Sequence, residues 1–151
     1  KNYGFRLADY GMAGTGLFFL SLMTGRFAGA LLLTKIRPAA FLLLCCGLAL
    51  AGLALLATAT GYLGFAAAML IGFGFANIFP LVYAIGMDAY PTRASELSGL
   101  MVSAIAGGAI LPPVMGYVSE HSSLVAALVV PTLCIIYIAL LALTERRQHA
   151  A

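Results

Sequence analysis

The chain is 151 residues long, 63% hydrophobic and only 9% charged, with a formal net charge of +3. A soluble domain carries about a quarter charged residues, and a chain this short has no core large enough to hide so much apolar surface, which excludes a self-contained soluble protein. Basic residues do not gather with aromatics into a nucleic-acid surface, and lipid is left as the solvent that suits the composition.

Five apolar runs follow one another along the chain, each close to or above the roughly 20 residues needed to cross about 30 Å of hydrocarbon. They are residues 11–33, 38–60, 62–87, 97–118 and 122–143, which predicts an all-α membrane protein of five transmembrane helices. The first run carries Gly25 and Gly29 and ends at Thr34-Lys35-Ile36-Arg37. Pro38 then suits the first turn of the second helix, where its missing N–H costs nothing. Only Thr60-Gly61 parts the second and third runs, which predicts a tight antiparallel hairpin. The third carries Ala68, Gly72 and Ala76; the fourth carries Ser95, Gly99, Ser103 and Gly107 on one stripe, with Gly108 beside it. Small residues at four-residue spacing let helices approach closely in lipid, so these faces predict a packed bundle.

Lysine and arginine placement sets the expected orientation. With the N-terminus outside, the inner side receives Arg26, Lys35, Arg37, Arg93, Arg146 and Arg147, and the outer side only Lys1 and Arg6. The expectation is a multi-pass protein of a bacterial inner membrane with a cytoplasmic C-terminus. The chain opens on Lys1 rather than Met and soon enters its first apolar run, which reads as the interior of a longer reading frame.

The third run contains Asn77-Ile78-Phe79-Pro80 near mid-membrane. Pro80 cannot donate to the carbonyl of Ala76, so that carbonyl is open to a ligand, a water or a side chain. Asn77, Phe79 and Tyr83 together suit a polar, uncharged ligand; the alternative is a kinked helix in which Asn77 bonds a neighbouring helix. In the fourth run, Gly107-Gly108 and Pro112-Pro113 predict a bend or hinge, with Pro80 a second candidate gate. Pro131 and Thr132 form a weaker version in the fifth. Arg26 lies inside an apolar run and needs either to snorkel or to find a carboxylate. Asp88 and Glu96, with Arg93 nearby, are the candidates for a cytoplasmic charge network. No Asp or Glu sits at the centre of a span, so if the intact protein uses protons, its carboxylate is expected on the missing part.

Enzyme and cofactor signatures fail. Cys45, Cys46 and Cys134 form no C-x-x-C pair, and His121 and His149 fall in polar connections, so neither a metal nor a cofactor is expected. There is no H-E-x-x-H, no P-loop and no G-x-G-x-x-G. Glu96-Leu97-Ser98-Gly99 lacks the first glycine of an intramembrane serine protease box.

The stretch Gly25-Arg26-Phe27-Ala28-Gly29, followed by Lys35 and Arg37, resembles the basic signature between helices eight and nine of the major facilitator superfamily. Asn77-Ile78-Phe79-Pro80-Leu81 resembles helix ten of its fucose–proton symporter subfamily. The glycine- and proline-rich segment from Ala106 to Glu120 resembles helix eleven of the same group. This resemblance covers nearly all of residues 11–144 and implies helices eight to twelve of a twelve-helix transporter. It further implies a sugar cavity shared with a missing N-terminal half, rocking of the halves, and proton coupling through acidic residues of that half. Phe79 stands where the fucose symporter pattern has tyrosine, which leaves a glucose- or galactose-like substrate, or another solute, open. A drug or metabolite exporter of the same superfamily and a non-transporting membrane scaffold are the alternatives.

Overall fold

A computed structural model describes the backbone of residues 7–148 and the side chains of residues 11–144. Lys1, Arg6 and His149, and the side chains of Arg146 and Arg147, lie outside the described residues. Every regular element among those residues is a helix: α1 (Leu7–Leu32), α2 (Pro38–Thr58), α3 (Leu63–Ala76), α4 (Ile78–Ala89), a 3-10 turn (Pro91–Arg93), α5 (Ala94–Gly108), α6 (Leu111–His121), α7 (Leu124–Ala127) and α8 (Val129–Gln148). They build five segments long and apolar enough to cross a membrane, Gly11–Leu32, Pro38–Thr58, Leu63–Ala89, Pro91–His121 and Leu124–Thr144.

Local chemistry accounts for the boundaries. Pro38 occupies the first turn of α2. Gly61, with φ of 59°, reverses the chain between α2 and α3 in a left-handed conformation that a side chain would strain. Three spans are interrupted, and each interruption stands four residues before a proline. α3 ends at Ala76 ahead of Pro80, α5 at Gly108 ahead of Pro112, and α7 at Ala127 ahead of Pro131. The proline ring collides with the carbonyl four residues back and offers it no N–H, so the helix closes there. The interruption near Pro112 is mild. Ala109 and Ile110 keep helical dihedrals (φ −65°, ψ −16° and φ −76°, ψ −28°), and their N–H groups bond three residues back, to Ala106 and Gly107. At Asn77 the chain departs further from the helix, with φ −113° and ψ −2°.

Several serine and threonine hydroxyls within the spans are satisfied inside their own helices. Thr15, Ser21, Thr24, Ser103 and Thr132 each donate to a carbonyl three or four residues back. In hydrocarbon this local bond removes the cost of an unpaired hydroxyl.

In the bundle α3 lies between α1 and α2, while α8 and α4 also pack on α2. The core joins Phe41, Leu42, Cys45, Cys46, Ala49 and Leu53 of α2 to Ile71 of α3, Ile78 and Leu81 of α4, and Ile135 of α8. The α1–α3–α2 layer is as tight as its glycines suggest. A methyl on Gly74 would lie 2.5 Å from the Ala49 backbone nitrogen, and one on Gly52 2.8 Å from that of Ile71. Gly72 sits against Ser21 and the Phe18 carbonyl, and Gly25 against Ala76 and Phe73.

The stripe on the fourth span departs from expectation. α5 and α6 hold no buried residue, and nothing lies within 4 Å of a methyl placed on Gly99, Gly107 or Gly108. Small residues permit a close helix contact but do not supply the helix, and none of the other four spans lies along this face. Substituting Gly74 and Gly99 separates the two situations. Gly74→Ala is expected to destabilise the chain by about 1–3 kcal/mol through overpacking against backbone, lowering the melting temperature in detergent by several degrees. Gly99→Ala is expected to leave it unchanged or raise it slightly, since alanine is the better helix former; equal losses at both sites would contradict the packing described.

Candidate functional site

The break in the third span holds Asn77, Phe79, Pro80 and Tyr83, four of the residues that the sequence singles out. Asn77 is its pivot: α3 ends just before it, and its own carbonyl accepts the first bond of α4, from the Leu81 N–H at 3.0 Å. The side chain points into α1, where Nδ2 donates to the Gly25 carbonyl at 2.8 Å. Only 6% of the residue is exposed. Of the two sequence readings for Asn77, the bond to a neighbouring helix is present. The amide lies beside Gly29, which has no side chain to obstruct it.

Phe79 and Tyr83 lie one turn apart on α4, their ring centroids 6.4 Å apart and tilted by 33°. Phe79 is 43% exposed and Tyr83 half-buried. The tyrosine hydroxyl and Ser98 Oγ of α5 are 2.9 Å apart. Ser98 also donates to the Ala94 carbonyl at 2.8 Å, which uses its one proton. The Tyr83 O–H is therefore the donor to Ser98 Oγ, and the phenolic oxygen keeps acceptor capacity for a ligand hydroxyl. The pair also ties the fourth span to the third, assisted by Leu97, which packs 3.1 Å from a methyl position on Gly86.

Pro80 is exposed beside Phe79. Gly107, Gly108, Pro112 and Pro113 form the loosened turn of the fourth span, and no hydrogen bond or ring contact among the described residues joins them to Asn77, Phe79 or Tyr83. The four residues of the proposed charge network are not brought together either. Arg26, Asp88, Arg93 and Glu96 are all exposed, and no ion pair among the described residues links them. Arg26 follows Gly25 directly, so the carbonyl that holds Asn77 and the arginine are adjacent on α1.

Two contributors escape a reading by sequence pattern. Ser98 sits in a segment notable only for its faint likeness to a protease box; its role depends on meeting Tyr83, 15 residues away. Gly25 acts through its backbone carbonyl, which no residue type announces.

The chain is 33% identical over 135 residues to a Helicobacter pylori protein assigned as a glucose/galactose transporter, covering 84% of this chain and 32% of that protein. It is 27% identical over 122 residues to the glucose/galactose transporter of Brucella abortus, covering 81% and 30%. Over 128 residues it is 30% identical to the L-fucose-proton symporter of Escherichia coli, covering 84% and 28%. The chain thus spans about a third of the length of the curated relatives it matches. No family model and no solved structure matches it significantly.

Tyr83→Phe and Ser98→Ala each remove the bond between the third and fourth spans. Each is expected to lower unfolding stability by about 0.5–1.5 kcal/mol. The double variant should lose clearly less than the sum, as a thermal double-mutant cycle on purified protein would register; additive losses would mean that the two groups do not bond.

Proposed function

We propose that this chain, which belongs to a sugar-transporter-like family of the major facilitator superfamily, forms helices eight to twelve of a proton-coupled sugar transporter. The similarity to sugar transporters over more than four-fifths of the chain is the observation that carries the reading. The relatives are transporters and symporters by name, and the part assigned to this chain is solute binding and movement, not catalysis. In this reading the remainder of the cavity comes from an N-terminal half, which also supplies the proton-binding carboxylate. The protein resides in a bacterial inner membrane with its C-terminus in the cytoplasm.

The break in the third span provides the sugar contacts. A sugar offers several hydroxyls and an apolar ring face, so its site needs a few fixed polar groups beside aromatic carbon. The exposed ring of Phe79 is the platform, and the Tyr83 oxygen, its proton held by Ser98, accepts from a hydroxyl. Asn77 holds the start of α4 at the same depth. All three groups are neutral, which suits a neutral solute and avoids the cost of a charge in lipid. Pro80 and the Gly107-Gly108 and Pro112-Pro113 turn leave two spans with missing backbone bonds, places where helix halves tilt as the two transporter halves rock. The charges of Arg26, Asp88, Arg93 and Glu96, exposed and unpaired among the described residues, are assigned to the cytoplasmic surface, where they meet water, lipid headgroups or the other half.

The test is uptake of labelled glucose, galactose and fucose into right-side-out vesicles holding the intact transporter, with an imposed inward proton gradient. Gradient-dependent uptake of at least one sugar is expected, and Phe79→Ala is expected to reduce it by roughly tenfold or more at equal abundance, the scale of one lost aromatic contact. Failure of all three sugars, with active extrusion of apolar dyes, would move the assignment to an exporter. A C-terminal reporter active only in the cytoplasm should show its activity when fused after Ala151; a reporter active only outside would reverse the orientation.

A further inference from the structure

We infer that Gly29 is the receptor notch for Asn77, and that this fit of α1 against the break in the third span positions Phe79 and Tyr83 for solute. The inference rests on the sugar-transport reading for its functional half only; the fit itself stands on geometry.

Asn77 is attached to two helices by two different parts. Its backbone carbonyl accepts the first hydrogen bond of α4, from Leu81, and its side-chain amide donates to the Gly25 carbonyl of α1. The origin of α4 is thereby set relative to α1 through one residue. Phe79 and Tyr83 lie two and six residues further on, so a shift of Asn77 is passed to both rings. A methyl added at Gly29 would fall on the amide of Asn77, overlapping its nitrogen, its oxygen and the carbon between them. An exposed asparagine would swing aside. This one is buried and anchored at 2.8 Å to Gly25, and Gly25 itself has Ala76 and Phe73 against it. The overlap therefore has to be relieved by moving α1 away from α3 or by giving up the Asn77–Gly25 bond, and either course displaces the start of α4. Asn77 acts in this account as a positioning residue.

The measurement is sugar half-saturation in vesicles holding the intact transporter, corrected for abundance, with the melting temperature of the purified protein in parallel. Gly29→Ala is expected to raise the half-saturation concentration by about fivefold or more and to lower the melting temperature, as overpacking of an anchored group should. Adding Asn77→Ser shortens the side chain and frees the space. Against Asn77→Ser alone, the double variant should differ by less than about twofold in half-saturation and little in melting temperature. A Gly29→Ala protein with parental half-saturation would overturn the inference. So would an equal effect of Gly29→Ala with Asn77→Ser present, the result expected if the two positions act separately. If the parent takes up none of the sugars, the transport reading fails by itself. The notch is then decided by melting temperature, or by membrane abundance if Gly29→Ala does not accumulate: a Gly29→Ala loss that vanishes with Asn77→Ser present supports it, and one that persists removes it.

Discussion

A proline inside an apolar helix removes one N–H and drives its ring toward the carbonyl four residues earlier. In water the stranded carbonyl would be solvated; in hydrocarbon it must find a partner or lie where polar groups gather. Three of the five spans are shaped by this one constraint, since α3, α5 and α7 each stop four residues before a proline. The details around each proline then decide what the interruption becomes. Gly107 and Gly108 accommodate a loosened turn with near-helical dihedrals, whereas Asn77 turns the third span into two helices and fastens the junction sideways to α1.

The second organising feature is backbone proximity. Lipid tails are as apolar as leucine, so burying leucine drives helices together little, and dispersion between closely approaching backbones matters more. The α1–α3–α2 layer follows this rule: Gly25, Gly52, Gly72 and Gly74 occupy positions where an added methyl would strike a neighbour. Larger apolar residues such as Leu42, Leu81 and Ile135 fill the remaining interior, and Phe19, Phe27 and Leu31 of α1 stay outside.

Much of this was legible in the amino-acid order because it depends on local chemistry. Lengths of apolar runs predict five spans, Pro38 a helix start, Thr60-Gly61 a hairpin, and the later prolines the interruptions. Span ends were less legible: the fourth begins at Pro91, because a 3-10 turn and the polar first turn of α5 join it before the apolar run starts. Partnership was not legible. Gly72 and Gly99 carry the same signal, yet one is pressed on Ser21 and Phe18 and the other faces open space. The Asn77 amide reaches a carbonyl 52 residues away, and every residue has a carbonyl, so side-chain pattern cannot single out Gly25. The pairing of Tyr83 with Ser98 depends likewise on how α4 and α5 lie together.

The interrupted spans bear on biogenesis. α3 and α4 have 14 and 12 residues, and α5 and α6 have 15 and 11. At 1.5 Å per residue each piece reaches only about half to three-quarters of the roughly 30 Å hydrocarbon thickness. None is long enough to partition across the bilayer by itself during synthesis. Each pair must therefore leave the insertion machinery as one unit, and the polar junction of the third span needs the shelter of an earlier helix. For the third span that helix is α1, already made when Asn77 emerges and offering the Gly25 carbonyl as shelter.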